Sequence, residues 1–168
     1  MNSYQIWLIT NEITNACKID LINKYNNEEN IYNNIDNIIR NEEFKKYNLN
    51  KLKEYSLDKE EELKIELLKE DIKYVTYSDE KYPIKLREIN NPPYVLFYKG
   101  DIELLNFNMA AIVGSRKNSM YGKEVTKVIV SELKKINFGV ISGVAYGIDS
   151  IAHREILRLN GKTIGILA

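Results

Sequence analysis

Cys17 is the only cysteine among 168 residues. Its isolation excludes an intrachain disulfide and any cysteine-built metal centre, and it suits a reducing, cytoplasmic setting. Histidine is equally sparse: His153 is the only one, and it reads as a packing or hydrogen-bonding residue before a base or a metal ligand. No metal and no cofactor is expected. Residues 1–71 contain neither glycine nor proline. No uncharged apolar run reaches roughly 18 residues, so no membrane-spanning helix is expected. The start of the chain lacks a basic segment followed by an apolar run and a cleavage site, so no signal peptide is read there. Charge of one sign is also missing overall, since 24 Lys and Arg balance 24 Asp and Glu. That balance argues against a strongly basic nucleic-acid binder at the level of the whole chain.

An apolar share of 44% is enough for a real core. The charges are unevenly spread. Residues 1–100 carry 15 basic against 18 acidic side chains, and residues 101–168 carry 9 against 6. Residues 1–71 read as a small all-helical domain with Asn-rich turns. Ile31, Ile35, Ile38 and Ile39 follow helical spacing, as do Leu63, Leu67, Leu68 and Ile72, with Asp58 as a candidate N-cap. Residues 73–77 and 94–98 have strand character. A short helix between them opens at Tyr82-Pro83 and is broken by Asn91-Pro92-Pro93.

From residue 109 the pattern is β-α-β-α-β. Residues 109–113 form a continuous apolar run, as in a strand buried on both faces. A helix follows over 121–136, with Val125, Val128, Ile129, Leu133 and Ile136 on one face. A second strand spans 138–142, a second helix 148–159 and a third strand 163–167. Strands alternating with helices imply a parallel, Rossmann-like sheet, here its first half. The second domain is therefore 72–168, comprising connecting strands and this α/β part.

Open α/β sheets place ligands at the C-terminal ends of their strands. Two loops lie there. In Val113-Gly114-Ser115-Arg116, Gly114 permits a sharp turn and a close backbone approach. Ser115 can donate to a phosphate, and Arg116 can fork onto its oxygens. Ser119, Tyr121 and Gly122 lead into the next helix, whose free N–H groups favour anions. Lys117 and Lys123 add positive charge. In the second loop, Ser142, Gly143 and Gly147 flank a helix start that Asp149 follows. Tyr121 and Tyr146 could stack on bases. Each residue also has a plain structural reading: Gly114 as a turn, Arg116 as a surface residue, Asp149 as a cap or first-turn acid.

Together the motifs are more specific. The run 113–116, then Ser119-Met120-Tyr121-Gly122, then Ile141 to Asp149 with Ala152-His153, then Gly161-Lys162-Thr163-Ile164, resembles the DNA-processing protein A (DprA/Smf) family. Upstream, Tyr82-Pro83, Leu86, Pro92-Pro93, Leu96 and Lys99-Gly100 fit the same family. The resemblance is strong over 79–168 and weak over 1–71. There the family often has a sterile-alpha-motif or helix-hairpin-helix domain, but residues 11–20 lack the glycine such a hairpin uses to bind DNA. The resemblance implies a non-enzymatic single-stranded DNA-binding protein that protects incoming strands and helps load the RecA recombinase in natural transformation. It also implies self-association as a homodimer and no membrane partner. Gly114, Ser115 and Arg116 would contact phosphate, and Ser142, Gly143 and Gly147 would shape the adjoining loop.

Two other readings stand beside it. One is a nucleotide-binding or nucleotide-hydrolysing Rossmann-like protein of the phosphoribohydrolase (LOG-like) kind, although the Pro-Gly-Gly-x-Gly-Thr loop of those enzymes does not occur in the sequence. The other is an inactive truncated remnant, because the family pattern continues past the third strand. Neither glycine loop spells Gly-x-Gly-x-x-Gly, so a dinucleotide site is not indicated. In Rossmann-type strand order the first strand would form an edge, and its lack of Pro, Lys or Glu leads to an expectation of self-association through residues 109–113.

Overall fold

The computed structural model describes residues 2–54 and 58–167. The chain divides by its contacts into two compact units, residues 1–100 and 101–168.

The first unit carries helices α1 (Ser3–Thr10), α2 (Asn15–Tyr25), α3 (Glu28–Asn33), α4 (Ile35–Arg40), α5 (Lys51–Glu54) and α6 (Asp58–Lys69). Strand β1 (Lys73–Thr76), helix α7 (Ile84–Arg87) and strand β2 (Val95–Tyr98) follow. The Asn richness of this region has a local cause. The side chains of Asn2, Asn27 and Asn41 each accept a first-turn N–H, and Thr14 does the same for α2. Asn26 ends α2 at a φ of 70°, a positive value that Asn tolerates better than most side chains. The single helix expected through Ile31, Ile35, Ile38 and Ile39 is two, α3 and α4, broken at Asn34. Ile31 and Ile38 are nevertheless both fully buried. The side chain of Asp58, read as a cap, lies outside the described residues.

Trp7, Leu8, Cys17, Leu21, Ile31, Phe44 and Leu52 build the helical core, and Tyr94 joins it. β1 and β2 pair antiparallel, Lys73 opposite Tyr98 and Thr76 opposite Val95. The hairpin is tied to the helices by a polar chain. Ser78 Oγ and Tyr94 Oη donate to Glu28 Oε1 at 2.6 and 2.7 Å, and the Gln5 amide donates to Thr76 Oγ1 and Asp79 Oδ1. Residues 73–98, read from the sequence as a connector, thus pack with the helices.

The second unit contains β3 (Met109–Ala111), α8 (Met120–Lys135), β4 (Gly139–Gly143), α9 (Ile148–Arg158) and β5 (Thr163–Ile166). The sheet is parallel in the order β3-β4-β5, the first half of a Rossmann-like fold. α8 and α9 pack on each other and on β4, over Val130, Val140, Ala152 and Ile156. Both helices end in the same way. Asn137 and Asn160 take φ values of 61° and 52°, and the next N–H groups, of Phe138 and Gly161, bond back to Leu133 and Ile156.

Two expectations are corrected here. The apolar run 109–113 is not covered on both faces. Ala110, Val140 and Thr163 share register and face the helices, whereas Val113 and Ile166, on the alternate parity, are 74% and 54% exposed. The apolar face assigned to α8 is only partly its buried one, since Val125 is half-buried and Leu133 packs on the core. Thr126 and Val130 are buried, while Val128, Ile129 and Ile136 are exposed. Thr126 can be buried because its hydroxyl donates to the Gly122 carbonyl within the helix, at 2.7 Å.

Candidate functional site

Both loops emerge at the C-terminal ends of β3 and β4, and they interlock. A Cβ on Gly147 would lie 2.2 Å from the Ser115 carbonyl oxygen and 2.7 Å from Arg116 Cα. Gly147 also has φ +87°, a conformation that side chains other than hydrogen rarely permit. The Ile148 N–H then donates to the Ser115 carbonyl at 3.2 Å. Gly114 is held just as closely, since its Cβ would meet Ile148 side-chain atoms at 2.8 Å. Ile148 therefore wedges between the start of one loop and the first turn of α8, where Gly122 lies against it.

Asp149 locks this arrangement. It is 6% exposed, and its Oδ1 accepts the Gly114 N–H at 3.3 Å. The carboxylate sits in the first turn of α9, where the helix dipole favours it. The N-terminus of α9 thus already holds an anion of its own. His153 braces the other side, with Nε2 2.9 Å from the Gly143 carbonyl and Nδ1 2.7 Å from Thr163 Oγ1. A carbonyl can only accept, so Nε2 donates to Gly143, while the Thr163 hydroxyl beside Nδ1 also reaches the Val140 carbonyl at 3.0 Å. Both ring nitrogens are engaged. Ser142 is buried at 3%, and its hydroxyl donates to the Ile112 carbonyl, tying β4 to the end of β3.

The residues singled out from the sequence therefore separate into two groups. Gly114, Ser142, Gly143 and Gly147 shape the backbone, together with Asp149, whose reach across 35 residues no local pattern displays. Ser119 caps α8 by accepting the Gly122 N–H at 3.1 Å, and the Ser115 hydroxyl donates to the Lys117 carbonyl within its own loop. Arg116, Lys117 and Tyr121 stand exposed beside them, with Lys123 one turn into α8. Among the described residues none of these three cations forms an ion pair. The first two N–H groups of α8, from Met120 and Tyr121, have no intrahelical acceptor. Together they make a fixed, electropositive loop with free donors. An open cleft of about 730 Å³ in the first unit, lined by Gln5, Leu67, Tyr74, Asp79 and Tyr98 among others, contains none of these residues. Among the described residues, no cluster of three His, Cys, Asp or Glu offers a metal site, and no helix is long and apolar enough to cross a membrane.

Comparison with known proteins adds a family. The sequence profile of DNA recombination-mediator protein A matches residues 73–168. DNA processing protein DprA of Streptococcus pneumoniae is 40% identical over 103 residues, 60% of this chain and 36% of that protein. DNA processing protein DprA of Bacillus subtilis is 38% identical over 98 residues, 58% of this chain and 33% of that protein. Protein Smf of Escherichia coli is 35% identical over 88 residues, 52% and 24% of the two chains. The alignments thus span about a third or less of these relatives. The X-ray structure of DNA processing protein A from S. pneumoniae superposes with a TM-score of 0.72 at 29% identity, covering 99% of this chain and 57% of that one.

Proposed function

Because the chain belongs to the DNA recombination-mediator protein A family, we propose that it binds single-stranded DNA through the loop after β3 and does so without catalysis. The observation that carries this reading is the unpaired trio Arg116, Lys117 and Lys123 around the free N-terminus of α8, on a backbone that Asp149 and Gly147 hold rigid. Arg116 would fork onto phosphate oxygens, and the Met120 and Tyr121 N–H groups would complete the contact. Gly114, Ser115, Ser119 and Gly122 supply the turn that brings these donors together, and Ser142, Gly143 and Gly147 support it from the second loop. Asp149 and His153, on the helix that follows the second loop, are both committed to holding backbone, which supports binding over acid–base chemistry. In the cell such a protein would shield incoming strands from nucleases and pass them to the RecA recombinase, acting as a homodimer in the cytoplasm.

Arg116→Ala is the decisive variant. It should weaken single-strand binding by about 1.5–3 kcal/mol where the contact excludes water, and leave the melting temperature unchanged because the side chain is exposed. With about three phosphates neutralised, log K against log[salt] should slope near −2 for a single strand. Equal binding by variant and parent, or tighter binding to duplex, would overturn the proposal.

A further inference from the structure

We infer that Tyr121 and Tyr146 form a base-stacking platform on either side of the phosphate loop, so that the site takes unpaired nucleobases on a sugar-phosphate strand rather than phosphate alone. This rests on the phosphate-binding reading above and adds the part of the ligand that reading leaves unspecified.

The two tyrosines differ from the others in the chain. Tyr146 is 85% exposed and Tyr121 78%, whereas the other nine described tyrosines are buried or partly buried. The partly buried rings have partners, as in the edge-on pair of Trp7 with Tyr32 and that of Tyr77 with Tyr82. Among the described residues neither Tyr121 nor Tyr146 contacts another ring or a cation, and neither hydroxyl has a hydrogen-bond partner. Exposing a large ring to water forfeits its apolar burial, so two such rings at one end of one sheet call for an occupant.

Their placement follows from the interlock. Tyr146 directly precedes Gly147, which is pressed against Ser115 and Arg116. Tyr121 directly precedes Gly122, which rests on Ile148. Each tyrosine is therefore one residue from a contact between the two loops, through backbone at Gly147, where Arg116 takes part, and through the Ile148 side chain at Gly122. The carriers are rigid, so presenting the rings costs little ordering on binding. Arg116, Lys117 and Lys123 beside them form no ion pair among the described residues, Asp149 is turned inward and Glu124 is paired with Lys127, so an anionic strand is attracted and not repelled. Aromatic stacking accepts any base because every base has a π-face, and a duplex hides those faces. A free phosphate would use the cations and leave both rings bare.

Three probes separate the possibilities: an oligothymidylate, an abasic deoxyribose-phosphate strand of the same length, and the corresponding duplex. The whole chain should bind the oligothymidylate at least about tenfold more tightly than the abasic strand, and the duplex no better than the abasic strand. Tyr121→Ala combined with Tyr146→Ala should bring oligothymidylate affinity down to the abasic level while abasic binding stays as it was. The double Phe variant should behave like the parent. Equal affinity for the two single strands, or an equal loss of both in the double Ala variant, overturns the stacking platform. If Arg116→Ala still weakens both strands in that case, the phosphate reading survives alone. No binding of either strand would overturn both.

Discussion

Gly147 concentrates, in one residue, the strain on which the loop geometry depends. Its positive φ and the 2.2 Å approach to the Ser115 carbonyl leave no room for a methyl group. Gly147→Ala should cost about 1–3 kcal/mol in backbone strain alone, and thermal melts should show it together with weakened strand binding. Gly122 provides the contrast. It lies in an ordinary helical turn, with the nearest atoms to an added Cβ at 3.6 Å. Gly122→Ala should stabilise by about 0.5–1 kcal/mol, read in the same melts. A second residue-scale consequence lies in the helical core. Lys18 is 6% exposed, with Nζ donating to the Ile9 carbonyl at 2.9 Å, and burial lowers its pKa from 10.5 to about 8. Between those two values the unfolded chain binds more protons than the folded one, so this group makes stability rise with pH. Neighbouring Cys17 acts oppositely. Burial raises its thiol from 9.0 to about 12, so its contribution falls above the lower value. Lys18→Met isolates the lysine. Urea unfolding should show the parent gaining about 2 kcal/mol on the variant between about pH 7 and pH 10, and a flat difference would refute the assignment.

At the scale of elements, β3 has, among the described residues, a strand neighbour on one side only. Its other edge offers backbone donors and acceptors flanked by Met109, Ala111 and the exposed Val113, with no charge or proline to discourage pairing. The chain should therefore self-associate with rising concentration, and Ala111→Lys should shift it towards monomer without unfolding it. Sedimentation across a dilution series checks both statements, and a parent that stays monomeric throughout removes the edge as an interface. The helices show why sequence patterns reached this far and no further. Periodicity located α8 and α9 to within a residue or two, because their caps and ends are local chemistry: Ser119 before α8, Asn137 and Asn160 after the helices. It placed Leu133 of α8 on the core but misjudged Val128, Ile129 and Ile136, because an apolar stripe states a preference and a neighbouring element is needed to satisfy it. Thr126, whose hydroxyl is satisfied inside the helix, took the place assigned to Val128 and Ile129.

At the scale of the molecule, the alternation of strands and helices after residue 109 gave the Rossmann-like half-sheet and its strand order directly, since parallel crossovers leave few topologies. The packing of residues 73–98 with the helices was not legible. It depends on Glu28 meeting Ser78 and Tyr94 across 50 and 66 residues, a pairing that no window of sequence contains. The same holds for Asp149 and Gly114. The loop glycines could be read as turns, but the carboxylate that fastens them could not. The Schellman-type ends of the second unit carry a consequence for the lifetime of the protein. Asn160 is followed by Gly161, the dipeptide most prone to spontaneous deamidation, in which the glycine nitrogen attacks the asparagine side-chain carbonyl and expels ammonia. Here that nitrogen is occupied, donating to the Ile156 carbonyl at 2.8 Å. The fold thus slows this reaction while the end of α9 is closed, so the fraction of molecules with succinimide, aspartate or isoaspartate at position 160 would report how often that end opens.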